Sequence, residues 1–200
     1  MNIIGIFSIG YGSGKDSVAN VLALRFGYTI LGFSEVMKVQ LWNELTHNKF
    51  PTLALWLEYC ESHKYDQVGD DGFWVRTLLK GYGQYYRSIN PDYWINTWWL
   101  EVLDKGLENI AVPNVRFPNE ATRIKALGGP LVKVVRPGIS VDNDPSEISM
   151  KNWTPDYTIF NDGTLLELSE QVSLFMRDRE DLCPTTTTTN QLVQEKLTIS

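Results

Sequence analysis

The feature that most constrains the fold is a short apolar run that ends in a cluster of glycines. Residues 3–9 are mostly apolar, and residues 10–15 read Gly-Tyr-Gly-Ser-Gly-Lys. Over 16–26 the apolar residues recur at helical spacing until Gly27, and glycine is common just past a helix end. The pattern therefore predicts a buried strand, a glycine loop and a helix, in that order.

The composition of this loop predicts that it binds phosphate. Glycines let backbone N–H groups converge on phosphate oxygens, and the N-terminus of the following helix adds its dipole. The residues expected to hold the phosphates of a nucleotide are Gly10, Gly12, Ser13, Gly14, Lys15 and Ser17. The strict Walker pattern has glycine where this chain has Ile9, and a hydroxyl where it has Asp16. A surface turn of the same composition is the alternative, which the strand and helix context disfavours.

Strand and helix patterns alternate along much of the remaining chain. Strands are predicted near 29–33, 109–113, 131–135 and 157–160, and helices near 34–41, 73–81, 92–103, 119–127 and 165–176, with Ser34 as a helix N-cap. Residues 47–72 lack a clear period and are interpreted as an insertion with one short helix. The alternation predicts an α/β protein with a central parallel sheet flanked by helices, which is a three-layer P-loop fold. Tryptophans at helical spacing after Asp92 are expected to be mostly core residues.

Charge and cysteine content exclude several classes of function. The 200-residue chain has a net charge of −6, which argues against general binding to nucleic acid or to an anionic membrane. Cys60 and Cys183 have no CxxC partner, so neither a disulfide framework nor a zinc site is predicted. Without a signal peptide or a spanning segment, we expect a cytoplasmic protein, in the host cytoplasm if it is viral. One domain over 1–177 is expected, with a low-complexity, disordered tail at 178–200.

Several motifs together resemble one family, the bacteriophage-type deoxynucleoside monophosphate kinases. The loop at 12–17 reads Gly-Ser-Gly-Lys-Asp-Ser, and residues 115–120 read Val-Arg-Phe-Pro-Asn-Glu, which is close to the family's most recognisable motif. The other similar segments are Phe33-Ser34 with Lys38, Arg76 with Leu78-Leu79, Gly83, Arg87, Asn90, Asp92, Trp94, Gly128-Gly129, residues 135–137, Ser146-Glu147 and residues 159–164. The resemblance covers about residues 1–176.

The resemblance implies a reaction and its participants. A kinase of this family transfers the γ-phosphoryl group of ATP to a deoxynucleoside monophosphate, giving ADP and a diphosphate, with Mg²⁺ as cofactor. Residues 47–93 would contain the monophosphate-binding region and a lid that closes over the substrates. Which bases are accepted is not readable from the sequence. The spare tryptophans leave room for a homodimer interface.

Phosphoryl transfer requires several cations around the transferred group. The candidates are Lys15, Arg76, Arg87, Arg116 and Arg136. Arg116 follows a predicted buried strand, where ligands collect in open α/β sheets, and by resemblance it contacts the transferred phosphate or the acceptor. Arg136 follows another strand and is assigned to the ATP side. For Arg76 and Arg87 a solvated surface arginine is an equal alternative.

The remaining assignments each have an ordinary structural alternative. Asp16 is expected to help hold magnesium with Ser17 or to orient the acceptor, and its alternative is an acid that favours a helix N-terminus. Glu120 either pairs with Arg116 across one helical turn or orients the acceptor sugar. Trp94 either stacks on the acceptor base or packs in the core. By resemblance Phe33 and Lys38 bind the acceptor, while Asn161 and Gly163 bind ATP.

Asn114 is the departure with the largest consequence. Family members generally have Asp at this position, where it can hold magnesium through water, whereas asparagine keeps an acceptor oxygen without the charge. Together with Ile9 it leaves open a nucleotide-binding regulator that has lost turnover. A different P-loop kinase, such as dephospho-coenzyme A kinase, is a further alternative, because it shares the loop but not the motif at 115–120.

Overall fold

The protein is an α/β domain whose parallel sheet lies between two layers of helices. The computed structural model describes residues 1–10, 12–63, 75–139 and 149–182. The strands in these ranges are β1 (Asn2–Phe7), β2 (Thr29–Ile30), β3 (Asn109–Val112), β4 (Leu131–Val135) and β5 (Tyr157–Phe160). The helices are α1 (Lys15–Phe26), α2 (Phe33–Leu41), α3 (Leu53–Ser62), α4 (Val75–Ile89), α5 (Tyr93–Asp104), α6 (Pro118–Ala126) and α7 (Leu165–Leu182). A π-helical turn, Trp42–Thr46, follows α2.

The five strands are in the order β2-β3-β1-β4-β5, and all neighbours are parallel. β1 is central: Ile3 pairs with Ile110 of β3, and Ile6 pairs with Val132 of β4. Parallel strands need crossover helices that cover both faces of the sheet. The predicted α/β three-layer fold is therefore confirmed.

Alternate residues of β1 face the two helical layers, because successive side chains in a strand point to opposite faces. Ile4 and Ile6 lie in the core beneath α1 and α7, whereas Ile3 and Phe7 lie in the core beneath α2 to α6. A Cβ at Gly5 would lie 2.7 Å from Ile124 Cδ1, so glycine lets α6 pack directly on the strand. This close approach brings α6 against the central strand.

The start of α2 differs from the prediction. β2 ends at Ile30 and the helix begins at Phe33, so the extended segment predicted at 29–33 is shorter and Ser34 is not the N-cap. Gly32 is the capping residue, and its N–H donates to Glu35 Oε2 at 2.9 Å. A carboxylate three residues into a helix satisfies one of the free N–H groups there. Burial of the Phe33 ring against Trp98 adds to the early start.

α4 is longer than predicted, since it continues to Ile89 through the tyrosine-rich segment interpreted as a connection. Tyr82 and Tyr86 are four residues apart and therefore share a helix face. Both rings contact Trp94 of α5. Tertiary packing thus stabilises a helix that its polar composition did not predict. α3 is the short helix predicted within the insertion.

The C-terminal helix also exceeds its predicted length. α7 ends at Leu182, five residues beyond the predicted domain end at 177, and Arg179 Nη1 donates to the Tyr28 hydroxyl at 2.7 Å. The remainder of the predicted tail, 183–200, lies outside the described residues, as do Ser146-Glu147 and residues 64–74 of the predicted insertion and lid. Among the described helices, none combines the length and the apolar character needed to cross a bilayer.

Candidate active site

The carboxyl ends of the strands converge on one edge of the sheet. β1 leads into the glycine loop, β3 into Asn114 and Arg116, β4 into Arg136 and β5 into Asn161. In open α/β sheets ligands bind at this edge, where neighbouring strands diverge to opposite layers. Residues far apart in the sequence therefore surround one site.

Glycines give the loop a conformation that other residues rarely adopt. Gly12 and Gly14 have φ values of 70° and 97°, in the left-handed region. Asn161 Nδ2 donates to Ser13 O at 2.8 Å, and a Cβ at Gly14 would collide with this amide. The end of β5 thus holds the loop from one side.

Lys15 extends along the inside of the loop. Its Nζ donates to Ser8 Oγ at 2.7 Å and to Ser13 Oγ at 3.4 Å. Ser8 is buried, and its hydroxyl donates to Gly10 O at 3.1 Å. Ser8 is not among the residues predicted from the sequence. A polar residue at the end of a buried strand was the signal that could have indicated it. Gly10 is buried and is not among the described residues that line the large cavity, so its assignment to the ATP site stays a prediction.

Asp16, Ser17 and Asn114 lie together where α1 begins. Asn114 has a φ of 59°, and its Nδ2 donates to Asp16 Oδ1 at 3.4 Å. The described residues contain no group of three His, Cys, Asp or Glu side chains suited to a metal ion. One carboxylate and one hydroxyl nevertheless fit Mg²⁺ in a kinase, since there the ion takes most of its ligands from phosphates and water. Asn114 adds no charge to this oxygen set.

Glu120 is a buried carboxylate, with a side chain only 3% exposed. Its Oε2 accepts the backbone N–H groups of Arg116 at 2.8 Å and Phe117 at 3.2 Å, while Oε1 lies 3.4 Å from Arg87 Nη2. Burial raises the pKa of the Glu120 carboxyl, and the backbone donors and the Arg87 charge oppose that effect. The predicted side-chain pair with Arg116 is therefore wrong. Arg116 contributes its backbone N–H, and Arg87 is the ion-pair partner.

Arg87 lies on α4, and its side chain extends to the segment that follows β3. Its guanidinium carbon is 4.2 Å from the centre of the Phe117 ring. Burial lowers the pKa of the guanidinium, and the charge of Glu120 opposes this. A cation over an aromatic face and beside a carboxylate is held in one orientation. The alternative of a freely solvated surface arginine does not apply to Arg87.

A cavity of about 900 Å³ extends from the glycine loop to α4. Seven cationic side chains are among the described residues that line it, against four carboxylates, although the chain as a whole has a charge of −6. The cations are Lys15, Lys38, Arg76, Lys80, Arg87, Arg116 and Arg136, and the acids are Asp16, Glu35, Glu61 and Glu120. Gly12, Ser13, Gly14, Ser17 and Phe33 also line it. Positive charge is thus concentrated where phosphates would enter.

A second, smaller cavity of about 130 Å³ lies where the segments after β4 and β5 meet. Arg136, Asn161 and Gly163 line it. Arg136 Nη1 donates to Gly12 O at 3.1 Å and lines the large cavity as well. The three residues assigned to the ATP side are therefore neighbours in the structure.

Trp94 is not available to stack on a nucleobase. The residue is 1% exposed, its ring contacts Tyr82, and its Nε1 donates to Gly83 O at 3.0 Å. The ring packs within the core, and the single polar atom of the indole has its hydrogen bond there. The assignment of Trp94 to the acceptor site is therefore wrong.

Two residues of the cavity were missed: Lys80 lies within the predicted helix 73–81, and Gln84 lies beyond its predicted end. Lys80 and Gln84 line the cavity with Arg76 and Arg87. Residues 76, 80, 84 and 87 are three or four apart, so they share one helix face. This spacing was the available signal. Lys38 of α2 also faces the cavity and lies 3.7 Å from Glu35 Oε1.

A phosphate loop at the carboxyl edge of a parallel sheet, opening into a cation-rich cavity, defines a class of enzyme. This arrangement holds nucleotide phosphates by backbone N–H groups and neutralises the charge of a transferred phosphoryl group. The fold and the site are those of a P-loop phosphate-binding enzyme.

The sequence is similar to two viral proteins that carry kinase names. It is 28% identical over 193 residues to a protein of Acanthamoeba polyphaga mimivirus provisionally described as a deoxynucleotide monophosphate kinase, covering 86% of this chain and 94% of that protein. It is 33% identical over 109 residues to the deoxynucleotide monophosphate kinase of Enterobacteria phage T4, covering 52% of this chain and 45% of that protein. No protein-family model matches the sequence. These relatives confirm the resemblance to the bacteriophage-type kinases.

Two solved structures are similar to the chain. One is a dephospho-CoA kinase from Campylobacter jejuni, with a TM-score of 0.48 and 13% identity, covering 88% of this chain and 96% of that one. The other is TT1252 from Thermus thermophilus, with a TM-score of 0.48 and 17% identity over the same shares of the two chains.

Proposed function

We propose that this kinase transfers the γ-phosphoryl group of ATP to a deoxynucleoside monophosphate. The observation that carries the proposal is the continuous cavity of about 900 Å³, with the phosphate loop at one end and the cationic face of α4 at the other. Its volume lies at the upper end of the range for small-molecule sites, which suits two nucleotides better than one. The names of the two viral relatives support a deoxynucleotide as acceptor.

On the donor side, the loop amides would bind the β- and γ-phosphates of ATP, and Lys15 would neutralise them. Asn161 and Arg136 fix the loop through Ser13 O and Gly12 O, so they act on phosphate binding through loop geometry. Mg²⁺ would be held by Asp16 and Ser17, and when bound it would offset negative charge on the β- and γ-oxygens.

On the acceptor side, Arg87, Arg76 and Lys38 would bind the monophosphate, and Arg116 would lie between the two nucleotides. Transfer between two phosphates requires that both be held in line and kept from water. Positively charged side chains from α2, α4 and the end of β3 meet in the cavity. Their convergence supplies the charge neutralisation that the reaction needs.

The proposal is tested by incubating the purified protein with ATP, Mg²⁺ and each deoxynucleoside monophosphate in turn, and measuring ADP and diphosphate. We expect a diphosphate from at least one acceptor. ATP binding without any diphosphate would instead support a nucleotide-binding regulator. Phosphorylation of dephospho-coenzyme A alone would support that different kinase.

Substitutions test whether turnover takes place at this site. Lys15→Ala or Arg116→Ala is expected to lower kcat/KM by ~10³-fold, the size of effect that removal of a charge-stabilising group has in other enzymes. Lys105→Ala is the control, since Lys105 forms only an exposed ion pair with Glu101 at 2.7 Å. Full activity of Lys15→Ala or Arg116→Ala, with unchanged circular dichroism, would refute the site assignment. Sedimentation of the same samples would test the homodimer, which stays a prediction.

A further inference from the structure

Glu120 joins two parts of the cavity wall that are far apart in the sequence. Its Oε2 accepts both backbone N–H groups of Arg116 and Phe117, which follow β3. Its Oε1 faces Arg87, which lies on α4. Both carboxylate oxygens are thus already engaged by the protein, and the side chain is 3% exposed. Such a group is poorly placed to bind a substrate sugar directly.

Three features fix Arg87 in the same place. The Phe117 ring lies under the guanidinium at 4.2 Å, and Glu120 lies beside it at 3.4 Å. Gly83, one helical turn earlier, leaves the space through which the side chain passes: a Cβ there would lie 3.1 Å from Arg87 Nη1 and 2.9 Å from Met37 Sδ. The contacts therefore hold one rotamer of a long, otherwise mobile side chain.

We propose that Glu120 is a positioning residue that holds Arg87 and the Arg116 backbone in fixed relation, so that the cation-bearing face of α4 stays aligned with the end of β3. The inference rests on the proposed function, because it assigns Arg87 to the acceptor monophosphate. Glu120 acts through Arg87 and does not touch the acceptor.

Only a glutamate meets all of these requirements at position 120. Glutamine keeps one oxygen for the backbone N–H groups, but its amide nitrogen would then face the guanidinium, donor against donor. Aspartate keeps the charge but is one methylene shorter, so it cannot reach both partners from the same backbone position. The carboxylate thus combines two acceptor oxygens with a charge that Arg87 requires.

The expected effect is confined to one substrate. Lys15, Arg136 and Asn161, which form the donor side, donate to Ser8, Gly12 and Ser13, respectively, and none of the three donates to Glu120. Loosening Arg87 should therefore weaken acceptor binding and leave ATP binding unchanged. A merely structural role for Glu120 would affect both substrates, or only stability.

The test is a double-mutant cycle in steady-state kinetics with Glu120→Gln, Arg87→Gln and the double variant. Each single variant is expected to raise the KM for the deoxynucleoside monophosphate about tenfold, with the KM for ATP within ~2-fold of the wild type. In the Arg87→Gln background, Glu120→Gln should change the acceptor KM by less than ~3-fold. Glu101→Gln, which removes an exposed ion pair with Lys105, is the control. Additive effects, an equal rise in both KM values, or wild-type kinetics of Glu120→Gln would overturn the proposal.

A second measurement does not depend on turnover. In Glu120→Gln, ¹⁵N relaxation should show lower order of Arg87 Nε, whereas the Arg116 and Phe117 amides should stay protected from exchange, because the glutamine oxygen still accepts them. In Arg87→Gln those two amides should keep their protection. An equally ordered Arg87 in Glu120→Gln would refute the positioning role even if the kinase is active. If Arg87 loses order in Glu120→Gln as expected but the wild-type protein forms no diphosphate, only the proposed function is refuted.

Discussion

The ion pair between Arg87 and Glu120 predicts an unequal response to loss of either partner. The Arg87 side chain is 28% exposed, whereas that of Glu120 is 3% exposed. If Glu120 loses its charge, Arg87 can turn toward water. If Arg87 is replaced by methionine, the carboxylate stays buried without its partner, which is the costly case. We therefore expect Arg87→Met to destabilise the fold far more than Glu120→Gln.

The cost of leaving the Glu120 carboxylate buried without Arg87 has an upper limit, because a buried carboxylate can take up a proton. From the ordinary pKa of 4.5, protonation at pH 7 costs about 3.4 kcal/mol, at ~1.4 kcal/mol per pH unit. Two backbone N–H donors remain on Oε2 and reduce the cost. Loss of the contact with the Phe117 ring adds about 0.5–1 kcal/mol. The expected loss in the free energy of unfolding is about 2–3 kcal/mol at pH 7.

The loss in the free energy of unfolding of Arg87→Met should depend on pH, and the direction of this dependence follows from the pKa of Glu120. Burial raises that pKa in the folded state, and removal of the Arg87 charge raises it further. A raised acid pKa favours the fold below the unfolded-state value of 4.5, and this benefit disappears as the pH rises through the folded-state pKa. The gap between the wild type and Arg87→Met should therefore shrink to about 1 kcal/mol near pH 4.5.

Urea unfolding followed by circular dichroism, at several pH values between 4.5 and 7, measures this gap. Lys105→Met is the matched control, because its partner Glu101 is 35% exposed and the pair should contribute about 0.5 kcal/mol or less at any pH. A gap that is constant over this pH range would refute the reasoning. So would a Glu120→Gln variant that is less stable than Arg87→Met at pH 7.

Three further predictions concern other residues of the site. Asn114→Asp should lower the melting temperature in EDTA, because the new carboxylate would lie beside that of Asp16, and Mg²⁺ should restore it. Asn119→Asp, which lies beside Asp92, is the control and should not respond to Mg²⁺. Gly14→Ala should abolish ATP binding, measured by calorimetry. Gly27→Ala is the control and should not, because Gly27 also has a left-handed φ but a Cβ there would meet no atom within 4 Å. Trp94→Phe should cost about 2 kcal/mol of stability and leave the acceptor KM unchanged; a changed KM would restore a binding role.

Much of the fold was predictable because the deciding interactions are local. The glycine loop, β1 and α1 follow from apolar spacing and from glycines within one stretch of 26 residues. The ends of β3 and β4 mark Arg116 and Arg136 in the same way, since strand periodicity shows where each strand ends. Once a parallel sheet is inferred, the common edge of its strand ends follows from topology alone.

The length of α4 could not be predicted from its own residues. Its second half is tyrosine-rich and polar, and it is helical because Tyr82 and Tyr86 pack on Trp94 from the next helix. The second half of α4 brings Gln84 into the cavity beside Arg87. An error in one boundary therefore removed Gln84 from the predicted site.

The sequence by itself determined which residues form the phosphate loop and which strand ends flank it. Only the tertiary structure decided that Trp94 is a core residue and that Glu120 pairs with Arg87. Residues 87 and 120 belong to separate helices, and no local spacing records their contact. Burial and long-range pairing depend on how distant segments pack, whereas loop and strand signals depend on the residues beside them.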